Sequence, residues 1–166
     1  MRFLPFCRFG DNKAAALLAR MTHAQSGKFL GVHRTAILAD GTGKLAFADG
    51  TSSKLMLGTA SGAVVKLSPF ENVLGIAEGI ETALSAKILF NIPVWSTLNA
   101  GGMASLPVIP GVDFLSIFAD SDSAGREAAL CCAQRYAAWG VKGQIHYPPV
   151  PFNDWNDYRL HESNGE

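Results

Sequence analysis

The sequence has no surplus of charge of either sign. Its 166 residues include 14 lysines and arginines against 14 aspartates and glutamates, and charged residues make up only 17% of the chain. A protein that binds nucleic acid tightly through its own charge normally shows a basic excess, so strong independent DNA binding is not expected. Hydrophobic residues make up 48%, which excludes a disordered chain and predicts a folded one.

Cysteines and long apolar runs are scarce as well. The three cysteines are Cys7 and the adjacent Cys131 and Cys132. They have none of the paired spacings of a zinc site, so we expect small buried residues in a reducing compartment. No apolar run approaches the roughly 20 residues of a membrane helix. No signal-peptide hydrophobic region follows the first residues, so we expect a cytoplasmic protein without a membrane partner.

Two aspartates come directly after one of the apolar runs. The run at 114–119 is typical of a buried strand, and it leads into Asp120, Ser121 and Asp122 and then into a helix. On an extended backbone, residues two apart point to the same face, so the two carboxylates repel each other. A divalent cation removes this repulsion, and oxygen ligands suit Mg²⁺. The alternative is that Asp122 or its neighbour only caps the helix.

A glutamate occupies the same kind of position upstream. Glu78 follows the short apolar run at 73–77 and precedes a segment whose apolar residues have helical spacing. Ligands of open α/β sheets bind beyond the carboxyl ends of the strands, where the strand order reverses. If the two strands are neighbours, Glu78, Asp120 and Asp122 meet in one crevice. The alternative for Glu78 alone is an ordinary acidic residue in a first helical turn.

A third acidic segment lies near the C-terminus. Asp154 and Asp157 flank Trp155 and follow a strand candidate at 142–147 and a proline-rich loop. Taken alone, this segment is typical of a polar tail with a buried tryptophan.

The three acidic segments in this order resemble the Toprim domain, which bacterial-type primases, type IA and type II topoisomerases and some nucleases share. The motif at 78–83 and the glycine turn at 98–102 are most similar to the Toprim regions of phage- and plasmid-encoded primases and primase-helicases. The resemblance covers about residues 73–160 and extends more weakly upstream. It implies an α/β fold with a Toprim-like (Rossmann-like) parallel sheet and flanking helices, preceded by a small β-rich N-terminal subdomain.

The resemblance also implies roles for individual acidic residues. Glu78, Asp120 and Asp122 are the expected catalytic residues. Glu78 is expected either to bind metal or to act as a general acid or base. Together with Asp154 and Asp157, these three residues are the expected ligands of Mg²⁺ (or Mn²⁺).

Basic residues concentrate in the front half of the chain, while the acidic residues concentrate after residue 71. Arg34, Lys44 and Lys54 are therefore candidate contacts to the phosphates of a nucleic acid, and the alternative is that they are ordinary solvated side chains. Arg126, in the first turn of the helix after the two aspartates, is a further candidate. Many members of the resembling family carry a lysine where this chain has Asn153, so a phosphate contact is not expected there.

Periodicity and turn residues divide the chain into two units, a small β-rich unit at 1–70 and a catalytic Toprim unit at 71–166. The alanine-rich segment at 13–21 has high helix propensity, although this region is more often extended in the resembling proteins. Strands alternating with helices in the second unit predict a parallel sheet. The predicted strands lie at 28–38, 54–57, 63–67, 73–77, 94–98, 114–119 and 142–147, with helices near 80–90, 103–106 and 124–139 and turns at 41–43 and 60–62.

The function that the resemblance implies is Mg²⁺-dependent nucleotidyl transfer, namely the synthesis of RNA primers on a DNA template during replication of a mobile element. The expected partners are single-stranded DNA, nucleotides, and a helicase or a zinc-binding primase module acting in trans. Two alternatives stay open at this point. One is a Mg²⁺-dependent Toprim nuclease that uses the same acids, and the other is a truncated, non-catalytic module that binds nucleic acid or a replication partner.

Overall fold

Antiparallel strands build the N-terminal part of the structure, a computed structural model that describes residues 1–164. Its five strands are β1 (Arg2–Phe9), β2 (Asn12–His23), β3 (Phe29–Ile37), β4 (Lys54–Gly58) and β5 (Ala63–Lys66). β1 and β2 form a hairpin, β3 pairs with the other edge of β2, and β4 pairs with β3. β5 pairs with the last residues of β2.

The alanine-rich segment at 13–21 lies within strand β2, so the prediction of a helix from its propensity is wrong. Its side chains alternate between two cores: Ala14 and Ala16 pack with Phe9 in one cluster, and Ala19 and Met21 pack in another. Strands β1 and β3 supply hydrogen-bond partners on both edges of β2. This pairing and burial outweigh a helix preference that amounts to only tenths of a kcal/mol per residue, roughly.

Parallel strands flanked by helices build the rest of the chain. The strands are β6 (Val73–Ala77), β7 (Val94–Ser96), β8 (Phe114–Phe118) and β9 (Lys142–His146), and the helices are α1 (Ile80–Phe90), α2 (Ala100–Ala104), α3 (Ser123–Ala138) and α4 (Trp155–Asn164). β5 pairs antiparallel with β7 and thereby joins both parts into one 9-stranded sheet. The order across this sheet is β4-β3-β2-β5-β7-β6-β8-β9, with β1 beside β2.

The strand order reverses at β6. After β6 the chain forms α1 and returns as β7 on one side of β6, and it then crosses over to form β8 on the other side. Helices α2 and α3 pack with one core cluster, around Leu74 and Ile117, while α1 and α4 pack with another, around Phe118. A crevice therefore opens beyond the carboxyl ends of β6 and β8, where ligands of such sheets bind.

Most predicted elements are confirmed to within three residues of their bounds, including the parallel sheet and the N-terminal antiparallel strands. The predicted turn at 41–43 is a hairpin, because the Leu38 amide donates to the Gly43 carbonyl at 2.9 Å. The sequence analysis predicts neither β1 nor α4. The division at residues 1–70 and 71–166 stays a prediction. None of the described helices is long and apolar enough to cross a membrane.

Candidate active site

Glu78 stands at the carboxyl end of β6, where the strand passes into α1. β6 is buried over most of its length, which fixes the backbone that leads to Glu78. The Ser96 hydroxyl, at the end of β7, donates to the Glu78 carbonyl at 2.7 Å. The backbone of Glu78 is therefore held by two neighbouring strands, while its side chain reaches the first turn of α3 at Gly125.

Asp120 and Asp122 occupy the loop between β8 and α3. The Ser121 amide donates to the Asn153 carbonyl at 2.7 Å, which joins this loop to the third acidic segment. Asp122 is the N-cap of α3, and its Oδ1 accepts a hydrogen bond from the Gly125 amide at 2.7 Å. The capping role that the sequence offered as an alternative is thus real, but it uses only one oxygen of Asp122.

Gly125 allows the carboxylates to approach one another. A Cβ atom at this position would lie 2.8 Å from the Asp120 carbonyl oxygen and 2.9 Å from Oε1 of Glu78. Both separations are shorter than a carbon–oxygen contact tolerates. The glycine of the motif is therefore required because the first turn of α3 lies directly against both acidic residues.

The acidic residues at this edge share one electrostatic environment. Burial, followed by the charges of Glu78, Asp154 and Asp122, raises the pKa of Asp120 from its ordinary 3.8 to about 7, against a smaller lowering by Lys54. Burial, with the charge of Asp122, also raises the pKa of Glu78. In the described part of the chain, Glu78 Oε1 and Asp120 Oδ1 are buried and have no hydrogen-bond partner. No hydrogen bond from the described residues compensates these two buried oxygens.

Asp154 joins this group from the start of α4, whereas Asp157 does not. The Oδ1 of Asp154 accepts hydrogen bonds from the amides of Asn156 at 2.8 Å and Asp157 at 2.9 Å, so the carboxylate caps the helix. The charge of Asp154 acts on Asp120. The side chain of Asp157 is exposed on the first turn of α4.

An aromatic cluster fixes the third acidic segment against the sheet. Trp155 is only 7% exposed and lies edge-on to Phe90 and Phe118, while the His146 ring stacks on Phe118. The Trp155 indole donates to the His146 carbonyl at 3.4 Å. The segment is thus a packed helix and not a polar tail, and the packing brings Asp154 to the site.

The four basic candidates do not lie together. Nη1 of Arg34 donates to the Arg8 carbonyl at 2.8 Å, and the guanidinium lies 5.6 Å above the ring of Phe9. Arg34 pairs with Leu55, so its side chain points to the opposite face of the sheet from that of Lys54. The structure therefore does not bring Arg34 to the acidic crevice.

The other three basic residues lie nearer the acids. Nε of Arg126 donates to the Ser121 carbonyl at 2.9 Å, and its guanidinium lies 4.4 Å above the Tyr147 ring. Lys54 and Lys44 both form ion pairs with Glu81, at 3.1 Å and 3.7 Å. Glu81, which has no role in the prediction from the sequence, lies in the first turn of α1, directly after the Glu78–Gly79 segment.

Comparison with known proteins identifies the family. A family model described as the Toprim domain matches residues 73–165. The chain belongs to the Toprim domain family. A second model, of a domain of unknown function, matches residues 1–67. A search of the curated proteins finds no significant match.

Solved structures with the same fold are primase fragments. They include the primase fragment of the bacteriophage T7 primase-helicase protein, with 20% identity over 90% of this chain and 59% of that chain and a TM-score of 0.59. The DnaG primase catalytic domain bound to ssDNA gives 14% identity over 97% of this chain and 52% of that chain, with a TM-score of 0.58. The Aquifex aeolicus primase (zinc-binding and RNA polymerase domains) gives 12% identity over 96% of this chain and 43% of that chain, with a TM-score of 0.58. The chain thus spans about half the length of these structures and shares their fold.

The acidic edge of this Toprim domain has the donors that a hard divalent cation requires. Its side chains offer only carboxylate oxygens, two of which are buried without a partner, and the ligands that Mg²⁺ prefers are oxygens. Across residues 1–164, no group of three or more His, Cys, Asp or Glu side chains is close enough to hold a metal ion as it stands. The residues therefore fit such an ion chemically, provided that their carboxylates rotate toward a common point.

Proposed function

We propose that this Toprim protein is a primase-type nucleotidyltransferase that synthesises RNA primers on a single-stranded DNA template with Mg²⁺ (or Mn²⁺) during replication of a mobile element. One observation carries the proposal. Glu78 and Asp120 meet at the switch point of the parallel sheet, and each presents a buried carboxylate oxygen without a hydrogen-bond partner. Uncompensated carboxylates of this kind are costly to the fold, and a bound cation compensates them.

Asp120 and Asp122 are the proposed first ligands of the ion, with Glu78, Asp154 and Asp157 as further candidates. A bound divalent ion supplies neutralisation of the charge on the reacting phosphate. Glu78 is the residue proposed to hold or move a proton, and burial and the charge of Asp122 raise its pKa above its ordinary value. Asp157 needs the largest rearrangement to take part, since its side chain is exposed.

The phosphates of nucleotide and template are the proposed partners of the basic residues. Lys54 and Arg126 are nearest to the acids, because the charge of Lys54 acts on Asp120 and Arg126 contacts the loop that carries it. Lys44 lies beside Lys54 through their shared partner Glu81. Arg34 faces the other side of the N-terminal sheet, so any contact that it makes to nucleic acid is separate from the reacting phosphate.

Partners in trans are part of the proposal. The T7 relative is a primase-helicase, the DnaG structure contains ssDNA, and the Aquifex aeolicus structure includes zinc-binding domains. The chain spans 59% or less of each of these structures, so we propose that full activity requires a helicase or a zinc-binding primase module in addition. The proposed location is the cytoplasm.

A single gel assay tests the proposal. The chain is incubated with single-stranded template, labelled nucleotides and Mg²⁺ or Mn²⁺, with and without a zinc-binding module or helicase supplied in trans. New labelled primers support the proposal. Shortened template without primers indicates a nuclease instead, and neither product in any combination refutes a catalytic role and favours a binding module.

A further inference from the structure

Three charged side chains connect the N-terminal strands to the first turn of α1. Nζ of Lys54, on β4, donates to Oε2 of Glu81 at 3.1 Å, and Nζ of Lys44 lies 3.7 Å from Oε1. These are the ion pairs within 4 Å that the described residues show across this junction. The junction is close enough to the acidic residues for the charge of Lys54 to act on Asp120.

The two lysines differ in their relation to that crevice. The charge of Lys54 acts on Asp120, opposing the effects of Glu78, Asp154 and Asp122, whereas Lys44 is not among the charges that do so. The Lys54 ammonium therefore contacts Glu81 and also acts electrostatically on Asp120.

We propose that Glu81 is a positioning residue that keeps the Lys54 ammonium out of the acidic crevice. The carboxylates then remain available to bind a divalent cation, and the Lys54 ammonium remains available to bind a substrate phosphate. The inference rests on the proposed function. Without the charge of Glu81, the remaining carboxylate on which Lys54 acts is that of Asp120, whose Oδ1 is buried without a hydrogen-bond partner. An ammonium group that pairs with this carboxylate occupies the place of the metal ion.

Glu81 is well suited to this role. Its side chain is 26% exposed, against 39% for Lys54, so water screens the pair only in part. Burial works to raise the pKa of the Glu81 carboxyl, but Lys54, the backbone and Lys44 together hold it below its usual value. The N-terminal end of α1 further favours a negative charge in its first turn.

Mn²⁺ binding to the full chain, measured by isothermal titration calorimetry, tests the proposal without relying on activity. We expect Glu81→Gln to raise the Kd of Mn²⁺ by at least about tenfold, which is the scale on which a new opposite charge shifts the proton affinity of a carboxylate. Adding Lys54→Met should restore the wild-type Kd, because it removes the competing ammonium. Adding Lys44→Met is the matched control and should leave the Kd raised, since Lys44 does not act on Asp120.

Three results overturn the inference: a wild-type Kd in Glu81→Gln, equal rescue by the two methionine variants, or no binding of Mn²⁺ by the wild type. If Glu81→Gln fails to fold, as seen in a thermal melt with EDTA, Lys54→Met alone decides. It should bind Mn²⁺ at least as tightly as the wild type, and weaker binding refutes the role of Lys54 as a competitor. A wild type that binds Mn²⁺ but makes no primers refutes the proposed function and leaves this comparison of variants intact.

Discussion

Replacing Asp120 by asparagine should stabilise the metal-free protein above neutral pH. Asp120 is ionised in the unfolded chain above its ordinary pKa of 3.8, whereas in the folded protein its pKa is about 7. Asp120 therefore does not destabilise the folded state below pH 3.8. The destabilisation grows between pH 3.8 and about 7 and is complete above about pH 7. Asparagine has no charge to bury, so the variant avoids the penalty.

The size of the effect follows from the pKa difference. A change from 3.8 to about 7, at ~1.36 kcal/mol per pH unit, corresponds to about 4 kcal/mol. Solvent reaches part of the side chain and screens the interaction, so we discount this figure to about 2 kcal/mol. For a chain of 166 residues this corresponds to a rise in Tm of roughly 4–8 °C at pH 8.

Thermal melts in EDTA at pH 8 and pH 4 provide the measurement. Asp120→Asn should melt above the wild type at pH 8, and the two should melt nearly together at pH 4. Mg²⁺ should raise the Tm of the wild type and not that of the variant, because the ion compensates the same charge. The exposed Asp113, replaced by asparagine, is the matched control and should change little. A variant that melts at or below the wild type at pH 8 contradicts the reasoning, since the carboxylate would then not be an uncompensated charge.

Three further predictions concern activity and binding. Glu78→Gln should reduce primer synthesis by roughly 10²–10⁴-fold with the fold intact, as expected for a proton-transferring group; a small change would make Glu78 an ordinary helix residue. Gly125→Ala should reduce synthesis by about 10²-fold, because its Cβ would lie within 2.9 Å of Glu78 and Asp120 atoms, and displacement by about 1 Å is costly; full activity would show that the carboxylates can move apart freely. Lys44→Ala with Lys54→Ala should flatten the salt dependence of single-stranded DNA binding, the log–log slope changing by roughly 1.4 for two phosphate contacts; an unchanged slope would place the DNA elsewhere.

Matched controls separate these effects from general damage. Glu71→Gln is the control for Glu78→Gln, because it removes an exposed carboxylate from the loop before β6. Ser123→Ala is the control for Gly125→Ala, because it places an alanine at an exposed position on the first turn of α3. Lys13→Ala with Lys28→Ala removes two exposed positive charges from the N-terminal part without touching the Glu81 cluster. All three controls should retain wild-type behaviour in the assay to which they belong.

The Toprim half of the fold is predictable because its signals are local. Strand β6 and strand β8 are short apolar runs, each followed within two residues by a carboxylate, and strand–helix alternation implies parallel pairing. The expectation that these two strands are neighbours is confirmed by the pairing of Ala77 with Phe118. The roles of the acids that this pairing brings together remain predictions.

The parts that sequence reasoning missed depend on contacts between distant segments. β1 carries exposed apolar residues such as Phe3 and Phe6, without the alternation that marks a half-buried strand, and it pairs only with β2. The sequence of α4 is typical of a polar tail, because Trp155 alone among residues 155–163 is buried, and the aromatic residues that pack edge-on against it from the sheet side, Phe90 and Phe118, lie more than 30 residues away. Neither environment is visible in a window of neighbouring residues.

The charges at the junction of Lys44, Lys54 and Glu81 determine the affinity for single-stranded DNA that we expect of this neutral chain. Lys44 and Lys54 bring two positive charges toward the crevice, but Glu81 cancels one of them, so the pair offers a net charge of about +1 to a phosphate. The carboxylates beside them repel the same phosphate until a cation binds. If the chain binds a template as proposed, we expect its affinity to depend more on the metal ion and on a partner surface than on the chain's own lysines. For this reason we expect binding to single-stranded DNA to be weak in EDTA, and to strengthen when Mg²⁺ and the partner module are added together.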